Sequence, residues 1–453
     1  MSSVYGSRKN RRAPRGRRFF PLALGLLLGA GLSLSVAEAA PIISSPWSEE
    51  LFLASPPSST LTVIPNDPLW NREWHLRQIK ADQAWTVSTG TPDVVVAIID
   101  VGVDVTHPDL REVIWTNPHE QPGDGIDNDH NGFIDDVQGW NFVSNTSDVR
   151  PLYKPFQSED AWSHGTMVAS LIGAKGNDGL GMVGVAWNIR LMPLVALNAD
   201  GAGSTQDIVR AINYALRMGV EVINLSLAGY EEDPALTEAI HRASQAGIVV
   251  VSANGNNNND SVGIDIDEIP SYPACGEKGE DAIIGVGGTD ADDQKAPYAN
   301  FGRRCTDISA PGFELFAARP SYAGEPYAGS TPIPAYRERV GGTSVAAPLV
   351  AGAAALLRSA HPDWTVRQIQ ERLYTTSDLL PLDDGTGVKT AWGYGRLNVG
   401  RALSGESSPV VSLMSSTAPS STLPLPPERK KIRLPKIPFK ALTSLQRLVD
   451  AFK

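Results

Sequence analysis

"DVVVAIIDVGVD", residues 93–104, decides the fold. Residues 94–99 are apolar without a break, where a half-exposed strand would alternate apolar with polar. The run therefore predicts a strand buried on both faces of a parallel sheet. Asp100 is the first polar residue after it and stands at the strand's carboxyl end. Working outward, "IRLMPLVAL" (189–197), "GVEVINLSL" (219–227), "GIVVVSANG" (247–255) and "DAIIGVGGT" (281–289) read the same way. Helical patterns lie between several of them. "STQDIVRAINYALRMG" is one, and "ALTEAIHRASQAG", closed by glycine, is another. Strand–helix alternation predicts a doubly wound α/β domain: a mostly parallel sheet, helices on both faces, function at the carboxyl ends of the strands.

Three further stretches place polar groups at such ends. "SHGTMVASLIGA" (163–174) puts His164 before a small-residue helical run. "VVSANGNNNND" (250–260) puts Asn254 and Asn256 in a loop after a buried run. "GGTSVAAPLVAG" (341–352) holds Ser344 among small residues, with a glycine-rich approach. Taken singly, each has a plainer reading as a turn aspartate, a structural histidine, a polar loop or a helix start. Together, Asp, His and Ser in that order make a nucleophilic triad. A hydroxyl is a weak nucleophile until a histidine takes its proton, and the acid fixes that histidine's tautomer. An asparagine amide can donate to the oxyanion that develops. An α/β-hydrolase site is excluded, since "GTSVA" lacks the second glycine of that fold's motif and the serine comes last.

"AIIDVGVDVTHPDL", "HGTMVASLIGA", "INLSLAG", "SANGN", "DISAPG", "GTSVAAPLVAGAAALL" and "GYGRLNVGRAL" resemble, in order and spacing, the subtilisin-like serine proteases. The resemblance implies a subtilisin-like fold over residues 66–405 and endopeptidase activity through an acyl-enzyme. Position by position, Ser344 resembles the nucleophile, His164 the general base, Asp100 the orienting acid and Asn256 the oxyanion amide. Two positions depart from the common pattern. Val345 stands where methionine is frequent. Asn254 stands where a small residue is frequent, beside the primary pocket, and bears on its shape.

"SLAG" (226–229) and "DGAGS" (200–204) match the segments that, in this family, bond an extended peptide as added strands. Ser226, Leu227, Gly229, Gly201 and Gly203 are the candidate substrate-binding residues. Asp265, Asp267 and Glu268 precede "PSYPA" near the expected pocket floor, as a solvated acidic loop, a calcium site or a preference for basic substrates. The same acyl-enzyme captured by an amine would make a transpeptidase. A peptide-binding protein that has kept only the scaffold is the rival outside enzymology.

"DGIDNDHNGFIDD" (124–136) carries oxygen ligands at alternate positions: Asp127, Asp129, Asn131 and, after Gly132, Asp135. That spacing suits a calcium loop of EF-hand or thrombospondin type, although Gln138 stands where an EF-hand has its bidentate glutamate. An acidic loop that binds nothing tightly is the alternative. The resemblance implies a second Ca2+ site, with Asp67, Asp109 and Asp178 as ligands from "NDP", "HPDL" and "GNDGLGMVG".

The ends of the chain differ from its middle. Residues 1–39 read as a signal peptide: a basic "RKNRRAPRGRR", a short apolar run and small residues at "AEAA". Arg17–Arg18 match twin-arginine export poorly, and a retained anchor is the alternative. Residues 40–65 form a Ser/Pro-rich leader, too short for the family's usual pro-domain. Residues 406–427 form a Ser/Pro-rich linker and 428–453 a basic tail, with Leu442, Leu445, Leu448, Val449 and Phe452 at helical spacing. That tail suits contact with an anionic envelope surface or a protein, or equally a solvated, removable end. Residues 41–405 hold 24 basic and 46 acidic residues, which argues against nucleic acid as a partner. The expected partners are protein or peptide substrates. The protein is expected to be monomeric, and secreted or held in the periplasm or cell envelope. Cys275 and Cys305 are the two cysteines. In an exported chain such a pair suggests one disulfide, with two buried thiols as the alternative.

Overall fold

The structure is a computed structural model that describes residues 61–152, 158–257, 262–276, 282–320, 335–380 and 391–405. The signal peptide, most of the leader, the linker and the basic tail lie outside the described residues. The strands are β1 (Val95–Asp100), β2 (Trp140–Asn141), β3 (Arg190–Val195), β4 (Val222–Leu225), β5 (Val249–Ala253), β6 (Ile284–Thr289), β7 (Ile308–Pro311), β8 (Leu315–Ala318) and β9 (Tyr336–Val340). The helices are α1 (Trp74–Gln78), α2 (Ala81–Ala84), α3 (Glu159–Trp162), α4 (His164–Gly173), α5 (Thr205–Met218), α6 (Pro234–Gln245), α7 (Thr343–Ala360), α8 (Val366–Thr375) and α9 (Val399–Ser404).

Seven strands form one sheet in the order β2-β3-β1-β4-β5-β6-β7, and every neighbouring pair is parallel. The five long apolar runs are its β1, β3, β4, β5 and β6. Successive side chains of a strand leave opposite faces, and both faces here are covered. Val96 and Ile98 of β1 join the core under α4 and α7, while Ala97 and Ile99 join the core under α5 and α6. Two hydrophobic faces explain why the strands read as unbroken apolar runs. β8 and β9 form a separate antiparallel pair.

Local chemistry sets the helix limits. Ser204 caps α5 by accepting from Asp207 N–H, and Gly219 ends it at φ 71°. Asp233 caps α6, with proline next in the chain. α7 is long and apolar enough to cross a membrane, but it is the buried core helix of this domain. Gly352 lets it approach α4: a Cβ there would lie 2.7 Å from the Val185 Cβ and 3.0 Å from the Ile172 carbonyl. Strand order reverses between β1 and β4, so the crevice outside their carboxyl ends is where an α/β sheet places its site.

Candidate active site

Asp100 ends β1 and His164 opens α4, and the two meet in that crevice. His164 Nδ1 lies 2.8 Å from Asp100 Oδ2 and 3.0 Å from Oδ1. A carboxylate only accepts, so Nδ1 carries the proton and Nε2 is left to act as a base. Asp100 is 1% exposed, and its burial is offset by two donors, His164 and the Val101 N–H at 2.7 Å. Gly165 makes the approach possible, because a Cβ on it would lie 2.2 Å from the Gly102 carbonyl oxygen.

Ser344 occupies the first turn of α7, after Gly342 at φ 138°. The space a Gly342 side chain would fill is ringed by polar atoms. From that point, Ser344 Oγ is 3.0 Å away, Asn256 Nδ2 3.2 Å and Ser344 N 3.6 Å. Asn256 Oδ1 accepts from Thr343 N–H at 2.9 Å, which turns its Nδ2 toward this space. A backbone N–H at a helix start has no partner within the helix. Ser344 N–H and the Asn256 amide can therefore serve one developing negative charge together.

A cleft of roughly 670 Å3 holds His164, Asn256 and Ser344. Gly201, Gly203, Ser226, Leu227 and Gly229 line it as well, so every residue expected to meet substrate faces one space. Their roles differ from the expectation in two cases. Gly229 N–H donates to the Tyr272 carbonyl at 2.8 Å, and its own carbonyl accepts from Tyr272 N–H at 2.7 Å. Its main chain is therefore spent, and among the described residues the neighbouring Ala228 has its N–H and carbonyl uncommitted. Ser226 turns its hydroxyl onto the Ser344 carbonyl at 2.7 Å. Gly203 must be glycine, since a Cβ would lie 2.5 Å from the Ala196 carbonyl oxygen. Asn254 stands behind the residues that line the cleft. Its side chain is fully buried, with Nδ2 donating to Thr306 Oγ1 at 2.8 Å. The acidic loop near the floor is also committed in part, since Asp267 Oδ1 accepts from Arg304 N–H.

Three segments distant in sequence bring Asp67, Asp109 and Asp178 together. Asp178 raises the charge cost of both other carboxylates. Asp67 Oδ2 accepts from Asn177 N–H at 2.7 Å and Asp109 Oδ2 from Met182 N–H at 2.9 Å. Asp67 Oδ1 and Asp109 Oδ1 are buried with no partner. Burial, with Asp178 nearby, pushes the Asp67 carboxyl up to about 6. Sequence reading missed Glu73, a fourth carboxylate here, whose burial holds it well above the usual range. Orphaned buried oxygens beside like charges fit a hard divalent cation.

The 120s loop is organised differently from its sequence pattern. Asp127 and Asp129 converge with Glu120, their carboxylate oxygens within 4.8 Å of one another. Glu120 is 8% exposed and its Oε2 has no partner. It lies upstream of the alternating acids, and only its acidity and nearness could have marked it. Asp135 turns away and pins the preceding turn, accepting from Gly123 and Gly125 N–H. Asn131 Oδ1 accepts from Phe133 N–H, while its Nδ2 donates to Asp129 and Asp136. Asp135 and Asn131 thus shape the loop, and Glu120 joins Asp127 and Asp129 in one acidic cluster. Cys275 and Cys305 form a disulfide.

Comparison with known proteins bears on the family and the fold. The subtilase family matches residues 91–395. A thermophilic serine proteinase of Bacillus sp. (strain AK1) is 32% identical over 335 residues, 74% of this chain and 68% of that protein. Thermitase of Thermoactinomyces vulgaris is 30% identical over 340 residues, 75% of this chain and 99% of that protein. A solved protease from Pseudoalteromonas arctica superposes with a TM-score of 0.59 at 26% identity, over 76% of this chain and 99% of that one. The chain belongs to the subtilase family and is a serine-type endopeptidase.

Proposed function

We propose that this is an exported endopeptidase, stabilised by calcium, that cuts extended peptides through an acyl-enzyme on Ser344. The observation that carries the reading is the 2.8 Å contact between His164 Nδ1 and the buried Asp100 carboxylate. His164 Nε2 takes the Ser344 proton as Oγ attacks the peptide carbonyl. The tetrahedral oxyanion rests on the Asn256 amide and the Ser344 N–H. His164, now charged beside Asp100, gives its proton to the leaving amine, and the C–N bond breaks. Water then attacks the acyl ester by the reverse proton path and frees Ser344. Substrate lies between residues 201–203 and 227–228, where the uncommitted Ala228 N–H and carbonyl pair with an added strand.

Calcium, when bound, supplies charge neutralisation to the fold. Asp67, Asp109 and Asp178 hold it in one site, and Glu120, Asp127 and Asp129 in the other. Residues 66–405 act as the peptidase domain. The basic, then apolar, N-terminal sequence supports export, and the basic tail suits an envelope surface or a protein. A peptide library digested by wild type and by Ser344→Ala tests the reading. Internal cleavage by wild type alone supports it, and equal cleavage by both overturns it.

A further inference from the structure

In an α-helix the carbonyl of residue 344 accepts from the N–H of residue 348. Residue 348 is proline, inside α7. It has no N–H, and its ring crowds the carbonyl four residues back. An orphaned buried carbonyl beside the nucleophile would be costly and poorly fixed. Here the carbonyl finds a donor from outside the helix. Ser226, just beyond β4, donates from Oγ to Ser344 O at 2.7 Å. Asn224 Nδ2 in turn donates to Ser226 Oγ at 2.9 Å, which leaves the Ser226 proton directed at Ser344. The relay is sealed, with Asn224 0% and Ser226 5% exposed.

We infer that Ser226 is a positioning residue for the nucleophile: its hydroxyl replaces the helical hydrogen bond that Pro348 removes and fixes the Ser344 backbone from the β4 side. Asn256 fixes the other side through Thr343 N–H. The Thr343 N–H and the Ser344 carbonyl in the first turn of α7 are thus held by side chains from beyond the ends of β5 and β4. Small displacements of a nucleophile cost rate far more than binding. The inference rests on the assignment of Ser344 as nucleophile.

The test is a double-mutant cycle. Ser226→Ala is expected to lower kcat about tenfold and leave KM within about twofold, as for a lost buried hydrogen bond that matters mainly in the transition state. Pro348→Ala restores an N–H at residue 348 and is expected to stay within about threefold of wild type. In the double variant, kcat is expected to recover to within about threefold of Pro348→Ala alone. Asn224→Ala gives a smaller kcat loss that Pro348→Ala also relieves, and thermal melts confirm that each variant is folded. A Ser226→Ala loss that is undiminished in the Pro348→Ala background, or that falls on KM, overturns the inference. Fluorophosphonate labelling of each variant separates this failure from that of the nucleophile assignment. Label on Ser344 with no rescue sinks the positioning role alone, and label elsewhere sinks both.

Discussion

Gly165 stands against Asp100 with no room for a methyl group. A Cβ on Gly165 would lie 3.2 Å from the Asp100 Cβ and 2.2 Å from the Gly102 carbonyl oxygen. Two elements far apart in the chain therefore meet at the contact that joins His164 to its carboxylate. Gly165→Ala must push α4 away from β1, because backbone cannot yield as a flexible side chain does. Overpacking of this kind costs about 1–3 kcal/mol of stability. The catalytic loss should exceed what that destabilisation explains. We expect kcat to fall by about 100-fold or more in protein that is still folded at 25 °C. Rates within a few fold of wild type would show that the His164–Asp100 spacing is not limiting.

Asn256→Ala should lower kcat by about 10²–10³ with KM nearly unchanged, the range known for the corresponding oxyanion donor in a subtilisin. The variant also loses the acceptor for Thr343 N–H, so a melt must accompany the kinetics. A variant that keeps its turnover and loses binding would remove Asn256 from the oxyanion.

Calcium should govern lifetime rather than chemistry. An ion that binds only the native state adds about 2.7 kcal/mol at a hundredfold excess over its dissociation constant. With EDTA, the initial rate at low temperature should be nearly unchanged and the half-life on warming should drop sharply. Asp129→Ala and Glu120→Gln should each reproduce part of the loss, whereas Asp135→Asn should act through the 123–125 turn and leave calcium affinity close to wild type. Equal heat-inactivation rates with calcium and EDTA would dismiss both sites.

The cation-free protein should also carry a pH signature. Asp67 is raised from 3.8 to about 6 in the fold, so between those values the native state binds more protons than the unfolded one. Stability should therefore be fullest below about pH 4 for this group and fall as pH rises through about 6. Calcium removes the penalty, so its stabilising effect should grow over the same window. Melting temperatures in EDTA across pH 4–7, for wild type and Asp67→Asn, measure this. The variant should lose that part of the slope, and identical slopes would refute the Asp67 contribution.

The disulfide closes a loop with a sequence separation of 30, which the chain-entropy estimate values at about 3–4 kcal/mol. Cys275→Ser with Cys305→Ser should lower the unfolding free energy by about that amount. A change below about 1 kcal/mol would show that the folded loop needs no cross-link.

What could be read from sequence followed from physics that acts locally. Burial on two faces writes itself as an unbroken apolar run, so β1, β3, β4, β5 and β6 were visible. The two-residue β2 is too short to carry a period, and β7 has no long apolar run, with Ser309 inside it and a proline at its end. Asp100, His164, Asn256 and Ser344 were legible because each sits where an element begins or ends. Glu120 was not, because it reaches Asp127 and Asp129 only through the folding of the loop. The main-chain pairing of Gly229 was not legible for a related reason: its partner, Tyr272, lies on another segment. The role of Ser226 was hidden likewise, since a proline four residues beyond Ser344 gains meaning only once β4 lies beside α7.

The central claim is that Ser344 is a nucleophile activated by His164, and labelling with a fluorophosphonate at neutral pH tests it most directly. Intact mass should rise by one phosphonyl group per chain, peptide mapping should place it on Ser344, and hydrolysis should fall in step with labelling. His164→Ala should slow the labelling by orders of magnitude at unchanged fold. Full peptidase activity after stoichiometric labelling of Ser344, or label on any other residue, would contradict the account.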